Sequence, residues 1–253
     1  MRATVTHKPA TAGQPIRVAV VGDSRTCAQE SLYPLLLDEY LDSSRIEVTP
    51  ECRSGETNGG LLGLDEIYGV RERRLDEIVE RGYDEVILDV GVNDMASGRT
   101  AEDMERKLVE ICGELASSGV SRIIMLEATP WRGFKKWTDA KGMETLSFNR
   151  MLADLSTRLT EEYARRRLPT EVELVRLYDA MENPCEPGEL EFPTLYPDMI
   201  DWLHPSIEGL EVMAEQIVEQ AFLAFANERF RSIDRELESI FRTIRYERSA
   251  ESQ

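Results

Sequence analysis

The residues best suited to chemistry lie far apart in this 253-residue chain. His204, within Asp201-Trp202-Leu203-His204-Pro205, is the only histidine outside the N-terminal tail, so a reaction needing an imidazole base at neutral pH has one candidate. Upstream, the strand-like run Ile16-Arg17-Val18-Ala19-Val20-Val21 ends in Gly22-Asp23-Ser24-Arg25, which puts a serine at a strand-to-helix turn. A serine hydroxyl attacks only when a base within hydrogen-bond reach takes its proton, and a third group must hold that base in the right tautomer. Ser24, His204 and Asp201 supply the three residue types, and one turn of chain can bring the Asp201 carboxylate to the imidazole. Ser54-Gly55-Glu56-Thr57 and Gly91-Val92-Asn93-Asp94 each follow a strand-like stretch and offer a hydrogen-bond donor at the same sheet edge. Taken singly, each has a plainer use: Ser24 as a helix N-cap, His204 as a bonded loop histidine, Gly55, Asn93 and Asp94 as turn residues.

Serine, glycine, asparagine and histidine in that chain order, over roughly residues 16 to 225, resemble the SGNH hydrolases, also called GDSL-type esterases and lipases. The resemblance implies a three-layer α/β/α sandwich around a five-stranded parallel sheet, flavodoxin-like in outline. It implies cleavage of carboxylic esters through a serine acyl-enzyme with no metal or organic cofactor. Ser24 would attack, His204 would carry the proton, and Asp201 would orient His204. The backbone N–H groups of Ser24 and Gly55 and the side-chain amide of Asn93 would hold the oxyanion, with Gly59 or Gly60 competing for the place of Gly55. Asp23 and Asp94 would serve the turns around them. Arg25 departs from the leucine that many members carry there, which bears on packing or substrate approach beside the nucleophile. Two other readings fit the same residues: an acyltransferase delivering to a sugar, and a non-catalytic scaffold that keeps the frame.

The elements that must position these residues follow from apolar patterning. Short runs rich in Val, Ile and Leu at 16–21, 45–49, 85–90, 122–127 and 171–177 predict buried strands. Helical spacing falls near 31–41, 64–80, 101–117, 144–166 and from 206 onward. This alternation predicts a parallel sheet covered on both faces by crossovers, with ligands beyond the carboxyl ends of the strands. Ser24, Gly55 and Asn93 each fall just after a predicted strand, so the pattern alone brings them to one rim.

Two long connections overhang that rim. One carries Trp131, Phe134 and Trp137 beside Arg132, Lys135 and Lys136; the other runs from Asn183 to Ile200 with four prolines, Phe192 and Tyr196. Trp131, Phe134, Trp137 and Tyr196 are candidates for contact with an acyl chain or an acetylated sugar, and the first three are equally suited to pinning the loop to the body. A chain of this length suits one domain, with residues 1–15 as a tail, 16–225 as the body and 226–253 as a helical extension. In the extension, Ala226, Phe230, Ile233, Leu237, Ile240 and Ile244 form one apolar stripe that must bury itself on the body or join a second copy as a homodimer.

The 30 basic and 48 acidic residues leave a net charge of -18, which argues against nucleic acid or an anionic membrane surface as partner; the resemblance implies a small-molecule ester as substrate. Without an apolar leader at the N-terminus or a run of about 18 apolar residues, the expectation is a cytoplasmic protein with no membrane span. Cys27, Cys52, Cys112 and Cys185 show no metal-type spacing and are expected as reduced thiols.

Overall fold

A computed structural model of the chain describes residues 14–129, 139–181, 205, 207–227 and 230. Asp201, His204, Trp131, Phe134, Trp137 and Tyr196 lie outside the described residues, as do Ile233, Leu237, Ile240 and Ile244 of the stripe. The five predicted strands are present as β1 (Ile16–Gly22), β2 (Ile46–Cys52), β3 (Glu85–Asp89), β4 (Arg122–Leu126) and β5 (Glu171–Val175). They form one parallel sheet in the order β2-β1-β3-β4-β5. Val20 of β1 stands between Pro50 of β2 and Ile87 of β3.

Because side chains alternate along a strand, each strand feeds two cores. Val18, Val20, Ile87 and Ile124 pack with Tyr33, Leu36 and Leu37 of α1 (Ser24–Tyr40) and Leu210, Met213, Ala214 and Ile217 of the C-terminal helix Ile207–Ile217. Ala19, Val21, Val86, Leu88 and Ile123 face the other way. They meet a helix at Arg74–Arg81, another at Ala101–Ser118 and the long helix Asp139–Arg165. In the Ala101–Ser118 helix, Leu108, Ile111 and Leu115 are fully buried, each contributing about 2 kcal/mol of apolar transfer. The sequence also marks both ends of that helix: the Thr100 side chain accepts from the Asp103 N–H at 3.3 Å, and Gly119 ends it at φ 100°.

Three expectations need correction. The first helix begins at Ser24, seven residues before the periodic stretch, because Asp23 caps it. The helix expected over 64–80 spans only Arg74–Arg81. Leu64, Ile67, Leu75 and Ile78 have helical spacing, but Gly63, Tyr68 and Gly69 take positive φ and turn the chain back on itself. Third, Cys27 and Cys52 are joined in a disulfide, with Cα atoms 5.6 Å apart, rather than standing as thiols. The register explains the pairing, since Cys27 lies in the first turns of α1 and Cys52 sits opposite Gly22 at the end of β2. Cys112 is a free, buried thiol as expected, its pKa pushed up to about 12 by burial.

Candidate active site

Ser24, Gly55 and Asn93 follow β1, β2 and β3, the three adjacent strands at the reversal of strand order, where open α/β sheets bind ligands. Ser24 is the first residue of α1 and not its cap. The cap is Asp23, in extended backbone, whose Oδ1 accepts from the Arg25 N–H at 2.8 Å. A hydroxyl placed there stands where the helix presents its positive end.

The three segments are tied together by the Asn93 side-chain amide. It donates to Asp23 Oδ2 at 2.9 Å and to the Glu56 carbonyl at 3.1 Å, which joins the Asn93 segment to the neighbours of Ser24 and of Gly55. Backbone bonds add to the tie: Arg53 N–H donates to Gly22 O and Glu56 N–H to Arg53 O, both at 3.0 Å. Gly55 itself takes φ +75°, a conformation that suits glycine. Among the described residues no group accepts from its N–H, which leaves that donor for a ligand. The Asn93 donors, in contrast, are both engaged, so a ligand oxygen must share or displace one of them. Gly91 shapes the third segment. It takes φ +113°, and a Cβ there would meet the Phe148 ring at 2.5 Å.

A family model described as GDSL-like lipase/acylhydrolase matches residues 18–217. The chain belongs to that family. No curated protein sequence matches it. The fold is shared with solved structures of low sequence identity. They include a carbohydrate esterase family 3 protein from Talaromyces cellulolyticus (16% identity, 83% of this chain and 98% of that one, TM-score 0.61). An acetylxylan esterase from Geobacillus stearothermophilus is also similar (17%, 82% and 94%, 0.60), as is a lipolytic G-D-S-L protein from Veillonella parvula (15%, 81% and 97%, 0.57).

Within this GDSL-type frame, Arg25 does not face substrate. It is buried beneath the Ser24 turn, where Nη2 donates to Asp89 Oδ1 at 2.6 Å and Nη1 donates to Thr129 Oγ1 at 3.1 Å. Asp89 also accepts from the Thr26 hydroxyl at 3.0 Å and the Tyr33 hydroxyl at 3.2 Å. Burial, with the Asp89 charge second, raises the Tyr33 hydroxyl well above its ordinary pKa. One guanidinium thus bridges the ends of β1 and β3 and the residue Thr129 that leads into the 130–138 loop. Sequence reasoning noted Arg25 as unusual and missed Asp89 and Thr129, whose types carried no signal without the strand order.

Two further carboxyl groups beside the site escaped or outgrew the sequence reading. Asp94 is fully buried and accepts from the Asn58 N–H at 2.9 Å, which links the Asn93 segment to the turn after Gly55. Burial pushes its pKa up to about 6, against the opposing effects of the Asn58 bond and the Lys107 charge. Glu56 is buried and paired with Arg74, and burial raises it above the usual carboxylate value. The structural role expected for Asp23 and Asp94 matches these bonds.

Proposed function

We propose that this chain cleaves carboxylic esters through a covalent acyl-enzyme on Ser24. In this reading His204 removes the serine proton and returns it to the leaving alcohol, and Asp201 holds the imidazole. The N–H groups of Ser24 and Gly55, with Asn93, take the negative charge that grows on the carbonyl oxygen of the tetrahedral intermediate. The observation that carries it is the Asn93 amide, bonded at once to Asp23 and to the Glu56 carbonyl, which keeps the serine turn, the glycine turn and the asparagine at one edge. The loop residues Trp131, Phe134, Trp137 and Tyr196 remain proposed substrate contacts.

Ser24→Ala and His204→Ala should each lower ester hydrolysis by about three powers of ten or more, and combining them should add little because the residues act as a unit. Asp201→Ala should cost less. Near-full activity of a folded His204→Ala protein at neutral pH would overturn the assignment.

Among the described residues no helix is long and apolar enough to cross a membrane. The Cys27–Cys52 bridge favours an oxidising compartment over the cytoplasm expected from the N-terminal sequence. For the C-terminal stripe, its first members favour the body over a second copy. Ala226 bridges to Leu41, and the buried Phe230 ring lies 5.6 Å from the Tyr40 ring.

A further inference from the structure

Between Leu61 and Arg74 the chain turns back at Tyr68-Gly69, with Ile67 and Val70 exchanging backbone hydrogen bonds of 2.9 and 3.0 Å. Both central residues have positive φ, 51° at Tyr68 and 79° at Gly69, the φ pattern of a type I′ turn. That turn favours Asn or Asp followed by Gly, because a bulky side chain on left-handed backbone costs energy. Tyr68 breaks this preference and regains nothing from burial, being 78% exposed. Local strain without structural return points toward function when a site lies beside it.

Such a site is adjacent. The Tyr68 ring lies over Gly55, with its hydroxyl 3.4 Å and its nearest ring carbons 3.6 and 3.7 Å from where a Gly55 Cβ would stand. Gly55 and Asn93 together line an open cavity of about 380 Å³, whose walls include Asp65, Arg71, Ser97 and Arg99. Asp65 is held in place by Arg99 and by Thr57, each at 2.8 Å. Leu64 and Ile67 add some apolar surface to these walls, but an octanoyl chain laid there must also desolvate the Asp65 and Glu66 carboxylates and the Arg71 and Arg99 guanidinium groups. A sugar ring meets them differently. Its hydroxyls both donate and accept, matching the fixed carboxylate and guanidinium, while its C–H face suits an exposed aromatic ring.

We propose that Tyr68 is a specificity-determining residue that stacks on the sugar of a carbohydrate ester, with Asp65 and Arg99 bonding the sugar hydroxyls in the cavity beside Gly55. This rests on the reading of Ser24 and Gly55 as the reacting edge. It explains why the turn carries tyrosine where asparagine would be more stable.

The test compares Tyr68→Asn and Tyr68→Trp with the parent chain on two substrates, an acetylated xylo-oligosaccharide and ethyl acetate, together with the melting temperature. Tyr68→Asn should melt higher, because asparagine suits the turn. It should lose about tenfold or more in kcat/KM on the sugar acetate, mainly through KM, and distinctly less on ethyl acetate. Tyr68→Trp should keep most of the preference for the sugar ester. Equal losses on the two esters, or no loss, would overturn the subsite, and a lower melting temperature for Tyr68→Asn would overturn the strain that singles Tyr68 out. Ser24→Ala separates the two levels: if it leaves hydrolysis of both esters standing, the nucleophile reading fails, whatever Tyr68 does.

Discussion

The floor of the site beneath Ser24 and its rim above Gly55 are built in opposite ways. Under the serine, Arg25, Thr26, Tyr33, Asp89 and Thr129 are all buried and joined by hydrogen bonds that cross from β1 to β3 and to the end of β4. Over the glycine, Tyr68 is exposed on a backbone that disfavours its side chain. A buried charge network loses heavily when one partner is removed, whereas an exposed strained residue can be replaced with a gain in stability. Changes to the floor should therefore be read first in folding, and changes to the rim first in substrate preference.

The largest stability effect should come from the floor. Arg25→Met leaves the Asp89 carboxylate buried with only neutral donors, at a cost of about 3 to 5 kcal/mol in urea unfolding. Arg25→Lys should cost less, because it keeps the charge while losing the fork. A loss below about 1 kcal/mol for Arg25→Met would mean that Asp89 does not depend on this partner, and the contrast between floor and rim would collapse.

Next comes the Cys27–Cys52 bridge, which fastens α1 to the end of β2 at the border between floor and rim. It closes a loop with a sequence separation of 25, for which loop entropy gives about 3.5 kcal/mol. The double change Cys27→Ser, Cys52→Ser should lower stability by roughly that amount, and a reductant should then have no further effect. An unchanged melting temperature would show that the bridge adds nothing to the folded state.

Asp94 gives a smaller, pH-dependent effect. Burial raises its pKa from 3.8 to about 6, so the folded chain holds this proton where the unfolded chain has released it. Its contribution is therefore full below the unfolded value and is lost as pH rises through that window, by about 2 to 3 kcal/mol in all. Asp94→Asn keeps an acceptor for the Asn58 N–H and should flatten stability between pH 4 and 6 relative to the parent. Identical slopes for the two proteins in urea titrations would contradict the assignment.

Much of this arrangement was legible in the sequence, for identifiable reasons. Strands buried on both faces leave continuous apolar runs, so all five were found to within three residues at either end. Their carboxyl ends then located Ser24, Gly55 and Asn93 without any contact information. The floor was not legible, because whether Arg25 meets Asp89 or Thr129 depends on strand order and not on residue type. The disulfide was hidden for the same cause: Cys27 and Cys52 become neighbours only once β2 pairs with β1. Tyr68 was concealed by an apolar spacing that mimics a helix, although Gly63 and Gly69 on either side were the available warning. The pairing of Asp201 with His204, and the aromatic loop at 131–137, lie outside the described residues.

The central claim, that Ser24 is the nucleophile, is tested most directly by intact-mass measurement after treatment with a fluorophosphonate. The parent chain should gain a single adduct, located on Ser24 by peptide mapping, at a rate that falls sharply in His204→Ala, and the Ser24→Ala protein should gain none. An adduct of equal yield on Ser24→Ala, or labelling of the parent chain at another residue, would contradict it.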